Sequence, residues 1–182
     1  MTIDKLIDHN FNKPKDRKRE IGKYWASDIF AIRKGYTTTG NFFKQKPIDG
    51  YGQLNIFWGN AGEEELGKIL KEENADFITQ ERLKIEIDDF QLTGKTDFSF
   101  PAFILETKCP RDFTNEIPEK WCDQLECYHR ATGKPVKLGI LNKNGNNIIN
   151  TYSYKPDDSR WQSIQELLRE FHAKLLKKNK DD

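Results

Sequence analysis

Two carboxylates and an ammonium are spaced along a segment that otherwise favours β-structure. Asp97, Glu106 and Lys108 lie within LTGKTDFSFPAFILETKC (92–109), among phenylalanine, leucine, isoleucine and threonine side chains. Carboxylate oxygens are the ligands that hard divalent cations such as Mg²⁺ and Mn²⁺ prefer. The segment therefore indicates a metal site, provided that the fold brings these side chains together.

A turn at the proline of this segment would bring them together. If the chain folds back symmetrically there, Phe98 faces Leu105 and Asp97 faces Glu106. Because side chains alternate along a strand, Lys108 lies on the same face as Glu106. Directly opposed carboxylates repel each other, which favours a cation between them. The alternative is that these charges lie on the solvated face of a half-buried sheet, while the phenylalanine-rich face packs against the core.

The composition fits one globular domain spanning residues 1–182. Of the 182 residues, 36% are hydrophobic, 32% are charged and 12% are aromatic, which is enough to fill a core. No apolar run approaches the roughly 20 residues of a membrane span. The first ten residues, MTIDKLIDHN, lack the apolar core of a secretory signal. We therefore expect a cytoplasmic protein without a membrane partner.

The net charge limits how a polyanion could bind, and the cysteine spacing argues against a cysteine-ligated metal site. The net charge is +1, so a polyanion would have to bind to local basic patches. The three cysteines, Cys109, Cys122 and Cys127, show no CxxC spacing. They are therefore expected to form neither a disulfide framework nor a zinc or iron–sulphur site.

Hydrophobic periodicity and turn residues predict a mixed α/β chain. The expected order is an N-terminal helical entry segment, a core over about 54–154 and a C-terminal helix. In detail, the expected elements are a helix capped by Ser27 and closed by Gly35, a helix from Leu54 or Asn60 to Asn74, strands at about 77–88, 90–100 and 103–109, a helix over 117–133 with Pro118 in its first turn, strands at 136–141 and 147–154, and a helix over about 157–178 capped by Asp or Ser. The strand after helix 117–133 crosses over that helix and would pair in parallel, giving a mixed sheet flanked by helices.

A third carboxylate, Glu63, occupies the first of these long helices. It shares a helix face with Leu66 and Leu70, whereas Glu64 and Glu65 do not. Burying an unpaired carboxylate is costly, and a metal beside Asp97 and Glu106 would compensate. The alternative is an acid that is favoured simply by the helix dipole near the N-terminus. Both readings stay open, as does the choice between Glu63 and Glu64 as the helix ligand.

In their order along the chain, these features resemble the PD-(D/E)XK nuclease superfamily. The matching motifs are an acid on a helix, Gly94-x-x-Asp97, Glu106-x-Lys108 and a helix with Gln124-x-x-x-Tyr128. The last motif is similar to the RecB-like branch, which includes Cas-four nucleases and phage or mitochondrial exonucleases. WASDIFAIRKGY resembles the entry helix of that branch, and Gly59-x-x-x-Glu63 matches the position of its His or Glu ligand. The resemblance implies a restriction-endonuclease-like core with the order αβββαβ.

The resemblance also implies roles for individual residues. Glu63, Asp97, Glu106 and the carbonyl of Thr107 would hold one or two Mg²⁺ or Mn²⁺ ions. Lys108 would orient the attacking water or stabilise developing negative charge. Gln124 and Tyr128 would lie beside the site and touch substrate or catalytic groups. Expected substrate contacts are Arg33, Lys34, Arg111, Gln124 and Tyr128.

The function implied by the resemblance is a metal-dependent deoxyribonuclease that hydrolyses phosphodiester bonds. It would act as an exonuclease on DNA ends or single strands, in recombination, repair or CRISPR-type DNA processing. The alternatives are a dimeric structure-specific endonuclease and a DNA-binding assembly subunit with a vestigial site. The expected partners are DNA together with a second copy of the chain or a helicase or recombination protein. Since the cysteines of the cluster-bearing relatives are missing, the resemblance implies a relative without an iron–sulphur cluster.

Overall fold

The computed structural model describes residues 19–44, 50–110, 115–142 and 149–181, apart from the side chains of residues 50, 51 and 181. These ranges contain both helices and strands. In chain order they are β1 (Lys23–Trp25), α1 (Ile29–Arg33), α2 (Gly50–Glu72), β2 (Ile78–Thr79), β3 (Arg82–Ile87), β4 (Phe90–Lys95), β5 (Phe98–Ser99), β6 (Ile104–Lys108), α3 (Glu119–Thr132), β7 (Val136–Leu141), β8 (Ile149–Ser153) and α4 (Asp158–Asp181). The predicted mixed α/β class and the predicted order of elements are confirmed.

The strands form two sheets, one of three strands and one of five. The smaller sheet has the order β1-β4-β3, and the larger sheet has the order β2-β5-β6-β7-β8. Strand β7 follows α3 and pairs in parallel with β6, as the crossover predicted, while β8 returns antiparallel to β7. In the smaller sheet, β1 pairs in parallel with β4, and β3 pairs antiparallel with β4. Both sheets are therefore mixed.

One hairpin runs through both sheets. Arg82 faces Lys95 in the smaller sheet, and Thr79 faces Phe98 in the larger sheet, so the register is the same on both sides of the junction. Between these pairs Gln80 adopts a left-handed backbone with φ 57°. The predicted continuous strands at 77–88 and 90–100 were therefore wrong in one respect, because a kink divides each of them into two short strands.

The hairpin from β5 to β6 has the predicted register. Phe98 faces Leu105, Ser99 faces Ile104, and the Phe100 N–H donates to the Phe103 carbonyl at 2.8 Å. Helix α2 covers one face of this hairpin, where Gly67 approaches the ring of Phe98. Helix α3 covers the other face. The alternative of a solvated face is therefore wrong, because both sides of β6 are buried.

The helix ends differ from the prediction in detail. Ala26–Asp28 form a 3-10 turn before α1, and no side chain caps either segment, so the predicted Ser27 cap is wrong. Pro118 is the N-cap of α3 rather than a residue of its first turn, and Gly133 closes the helix with φ 68°. Helix α2 begins at Gly50, earlier than predicted. Asp157 caps α4 by accepting the backbone N–H groups of Ser159 and Arg160, in agreement with the predicted acidic cap.

The core lies between the sheets and helices α1, α3 and α4. Its largest fully buried side chains include Tyr24, Phe42, Leu125, Ile140 and Leu168. Within the part of the chain that the structure describes, no helix combines the length and apolarity needed to cross a membrane.

Candidate active site

Asp97 lies at the kink, between β4 and β5. Its Oδ2 atom accepts two hydrogen bonds from Thr107, one from the backbone N–H and one from the hydroxyl, both at 2.7 Å. The Asp97 carbonyl accepts the backbone N–H of Gln80 at 3.2 Å. The carboxylate is thereby attached to β6, the strand that carries Glu106 and Lys108.

Glu106 is a charged side chain in the interior, with 2% of its surface exposed. Its Oε1 atom accepts hydrogen bonds from Lys108 Nζ and, at 2.8 Å, from Gln124 Nε2. Its buried Oε2 atom has no hydrogen-bond partner among the residues that the structure describes. Burial raises the pKa of this carboxyl to about 7, although the charge of Lys108 opposes the shift. One oxygen of a buried acid is thus left without compensation, which is costly unless another group binds it.

Lys108 keeps its proton in this setting. Burial alone would lower the pKa of its ammonium, but the charge of Glu106 and the hydrogen bond to it outweigh burial. The net shift of the Lys108 pKa is upward. The site therefore holds a permanent cation on the side of Glu106 that faces Oε1.

Gln124 and Tyr128 lie one turn apart on α3 and point at the same strands. Gln124 Nε2 donates to the Tyr128 hydroxyl at 2.7 Å, and that hydroxyl donates to the Lys95 carbonyl at 2.8 Å. The Tyr128 ring packs against Gly94, where an added Cβ would lie 2.6 Å from Cε1. Burial raises the pKa of the Tyr128 hydroxyl well above its ordinary value, so the group stays protonated. The glycine of the Gly94-x-x-Asp97 motif therefore makes room for this tyrosine.

Glu63 faces the site from α2. Its Oε1 atom accepts a hydrogen bond from Gln80 Nε2. Burial raises the pKa of the Glu63 carboxyl, and the negative charge of Asp97 raises it further. Glu64 and Glu65, by contrast, are 73% and 66% exposed and pair with Lys68. Of these three adjacent acids, Glu63 is the one in electrostatic contact with Asp97.

The residues present fit a divalent cation by their chemistry. The carboxyl groups of Glu63, Asp97 and Glu106 interact electrostatically, and each of the two others raises the pKa of Glu106. The unpartnered Oε2 of Glu106 is a buried oxygen ligand. Within the described ranges, however, no three His, Cys, Asp or Glu side chains converge closely enough to hold a metal. In this arrangement Lys108 and Thr107 take up part of the hydrogen-bonding capacity of Glu106 and Asp97.

The predicted substrate contacts on basic residues lie in different surroundings. Arg33 donates to Asp123 Oδ2 at 3.0 Å and to Ser163 Oγ at 2.8 Å, and Asp123 is only 1% exposed. Its guanidinium is bound within the protein, and its contact with substrate stays a prediction. Lys34 is exposed and lies 5.6 Å from the centroid of the Phe30 ring. Arg111 lies outside the residues that the structure describes.

Two residues next to the site had no predicted role. Gln80 binds Glu63 through its side chain and Asp97 through its backbone. Lys95 is exposed, and its positive charge lowers the pKa of Glu63. The sequence carried a signal for Lys95, because it lies two residues before Asp97 on a strand. It carried none for Gln80, which belongs to no recognisable motif.

Comparison with known proteins establishes the fold. No protein-family model matches the sequence, and the comparison with curated proteins found no match. Among solved structures, an alkaline exonuclease (LHK-Exo) from Laribacter hongkongensis is similar, with a TM-score of 0.66 and 14% identity over 87% of this chain and 90% of that chain. The same enzyme in complex with dAMP also has a TM-score of 0.66, at 15% identity and with the same coverage of both chains.

Two further solved structures have a similar fold. A phage related exonuclease from Haemophilus somnus 129PT has a TM-score of 0.58 and 13% identity over 86% of this chain and 96% of that chain. The protein SSO0001 has a TM-score of 0.65 and 15% identity over 94% of this chain and 85% of that chain. The chain therefore has a restriction-endonuclease-like fold, a mixed sheet flanked by helices, that matches these exonuclease structures.

Proposed function

We propose that this chain is a metal-dependent deoxyribonuclease that hydrolyses phosphodiester bonds at DNA ends or in single strands. The observation that carries the proposal is the buried Glu106 carboxyl. It touches Lys108 and Gln124, it interacts electrostatically with two more acids, and one of its oxygens has no partner in the described part of the chain. A costly arrangement of this kind is typical of functional sites.

In this proposal Glu63, Asp97, Glu106 and the carbonyl of Thr107 hold Mg²⁺ or Mn²⁺. The bound cation supplies polarisation of the phosphate and a lowered pKa for a water molecule. Glu106 must be ionised to act as a ligand, and its Oε2 atom is available for that contact. Thr107 holds Asp97 in place through two hydrogen bonds, so that its carboxylate keeps a defined direction.

Lys108 acts on the reacting groups, whereas Gln124 and Tyr128 hold protein groups in position. Lys108 remains an ammonium and either orients the attacking water or neutralises charge that develops on the phosphate. Gln124 holds the Glu106 carboxylate and the Tyr128 hydroxyl in fixed positions. Tyr128 in turn anchors α3 to the end of β4 through the Lys95 carbonyl.

The similar structures support DNA as the substrate and its ends as the point of attack. Two of the similar proteins are exonucleases, and one of these was solved in complex with dAMP. The exposed ammonium groups of Lys34 and Lys95 are the described basic side chains that we propose for phosphate contacts. Arg111 remains a proposed contact from the sequence.

One experiment tests the proposal directly. Purified protein is incubated with Mg²⁺, Mn²⁺ or EDTA on end-labelled linear and closed circular DNA, single- and double-stranded. We expect cation-dependent release of nucleotides from linear DNA, which Asp97→Ala and Glu106→Ala abolish. Glu63→Ala should reduce cleavage strongly, whereas Glu64→Ala, on the exposed side of the same helix, should not. Cleavage in EDTA, or full activity in Asp97→Ala, contradicts the mechanism.

A second candidate is a dimeric structure-specific endonuclease. The supporting observation is a set of exposed apolar side chains on α2. Leu54, Phe57, Trp58 and Ile69 lie on one side of the helix, and Ile56 lies on the opposite side. Exposed apolar patches commonly mark protein contacts. Cleavage of closed circular DNA by a species that sedimentation velocity identifies as a dimer would favour this candidate.

A further inference from the structure

Gln80 is the residue at which the long hairpin bends. Its φ of 57° is unusual for a residue other than glycine, and it lies where the strands pass from the smaller sheet to the larger one. The pairing register continues unchanged from Thr79–Phe98 to Arg82–Lys95. The left-handed backbone therefore turns the chain at this point without shifting the strands relative to each other.

The bend gives Gln80 two contacts that no other residue of the described chain combines. Its backbone N–H donates to the Asp97 carbonyl at 3.2 Å, and its side-chain amide donates to the Glu63 carboxyl. Asp97 belongs to the hairpin and Glu63 belongs to α2, so the two acids come from separate elements. Gln80 is thus a direct hydrogen-bonded link between them.

The group that binds Glu63 in this link is a neutral side-chain amide. A neutral amide donor is suited to this task, because it stabilises a carboxylate without competing with a cation as a second positive charge would. Groups that orient ligands in this way affect metal affinity although they do not touch the metal.

We propose that Gln80 is a positioning residue that holds Glu63 against Asp97 and so sets the spacing of these two ligands. This inference rests on the proposed function, because it concerns the same metal site. Gln80, which lies outside every motif, would thereby join α2 to the kinked hairpin.

Binding of Mn²⁺ alone, followed by electron paramagnetic resonance, tests the inference without reference to cleavage. The main variant is Gln80→Gly, because glycine adopts a positive φ without strain and so removes only the side chain. We expect the Kd for Mn²⁺ to rise by about 10- to 100-fold. The matched control is Gln162→Ala, which removes a Gln–Glu hydrogen bond on the exposed surface of α4 and should leave the Kd unchanged.

A double-mutant cycle shows whether Gln80 acts through Glu63. If it does, adding Gln80→Gly to Glu63→Ala should weaken Mn²⁺ binding no further than Glu63→Ala alone. Additive losses would overturn the inference, as would a Gln80→Gly variant with wild-type Mn²⁺ affinity and a lower free energy of unfolding in EDTA. That last result would identify Gln80 as a purely structural residue.

The Asp97→Ala variant separates this inference from the proposed function. If Asp97→Ala binds Mn²⁺ as tightly as the wild type, or if the wild type binds none, the metal site itself is wrong and both proposals fall. If Asp97→Ala loses binding and Gln80→Gly does not, the metal site stands and only the role of Gln80 is overturned.

Discussion

Thr107 donates both its backbone N–H and its hydroxyl to the same carboxylate oxygen of Asp97, each at 2.7 Å. These bonds join the kink of the hairpin to the middle of the larger sheet. They also leave the second oxygen of Asp97 outside this pairing. The direction of the Asp97 carboxylate thus depends on the hydroxyl and the N–H of Thr107. The sequence analysis gave Thr107 a role only through its backbone carbonyl.

Thr107→Val removes the hydroxyl and keeps the shape and the backbone bond. We expect the free energy of unfolding in EDTA to fall by about 1–3 kcal/mol, since the lost hydrogen bond reaches a charged group. Cleavage should also slow, because Asp97 loses part of its support. The control is Thr93→Val, whose hydroxyl donates to the Tyr24 carbonyl at 3.1 Å, away from the acids. If both variants cleave equally well, Thr107 does not position Asp97.

Glu106 makes the stability of the metal-free protein depend on pH. Burial raises the folded-state pKa to about 7, against an ordinary value of 4.5, so the folded state binds the proton more tightly than the unfolded state. The free energy of unfolding in EDTA should therefore fall as the pH rises from about 4.5 to about 7, by roughly 3 kcal/mol at most. Glu106→Gln cannot ionise and should lack this decrease. Chemical denaturation at several pH values measures it, and an unchanged slope in the variant contradicts the assignment.

The same pKa predicts the pH dependence of metal binding. A proton and a cation compete for the Glu106 carboxyl, so Mn²⁺ affinity should increase as the pH rises through about 7. Isothermal titration calorimetry at a series of pH values provides the measurement. Affinity that stays constant between pH 6 and 8 (values spanning about 7) would show that Glu106 is not a ligand.

Gln124→Ala and Tyr128→Phe should slow single-turnover cleavage of bound DNA. Each change removes hydrogen bonds within the chain that connects Glu106, Gln124, Tyr128 and the Lys95 carbonyl. The matched control is Tyr154→Phe, which removes a hydroxyl bonded to Glu126 on the same helix at 2.7 Å. All three variants should lose stability, but the control should keep its cleavage rate. Wild-type rates in Gln124→Ala and Tyr128→Phe would make this helix face purely structural.

Gly94→Ala should displace the Tyr128 ring. The added Cβ would lie 2.6 Å from Tyr128 Cε1, and the ring is buried. Overpacking of this kind costs about 1–3 kcal/mol of unfolding free energy, and cleavage should fall as well. Gly59→Ala in helix α2 meets nothing within 4 Å and should instead add roughly 0.5–1 kcal/mol. Thermal unfolding of both variants distinguishes the two effects, and a stable Gly94→Ala would contradict the packing argument.

Arg33→Ala should affect folding rather than DNA binding. Arg33 pairs with the buried carboxylate of Asp123, which retains Arg160 as a second partner at 2.8 Å. We expect a loss of about 1–3 kcal/mol in unfolding free energy. Lys34→Ala, at the neighbouring exposed position, should leave stability unchanged and weaken DNA binding. Fluorescence anisotropy with cleavage-inactive protein measures the affinity, and a reversed pattern would identify Arg33 as a substrate contact.

The sequence by itself determined the features that depend on local geometry. The register of the β5–β6 hairpin followed from the alternation of side chains about a single turn, which is why Phe98 faces Leu105 as predicted. Gln124 and Tyr128 share one face of α3 because residues four apart always do in a helix. The parallel pairing of β6 and β7 followed from the helix between them.

The tertiary structure alone decided which charged groups are buried and what they contact. Glu106 is buried because α3 packs over it, and no pattern within 103–109 encodes that packing. Arg33 pairs with Asp123, 90 residues away in the sequence. The pairing is favoured because a buried carboxylate without a partner would be strongly destabilising. Gln80 became the link between two acids because the hairpin bends there with an unchanged register, and that bend arises from the assembly of two sheets rather than from any property of its own side chain.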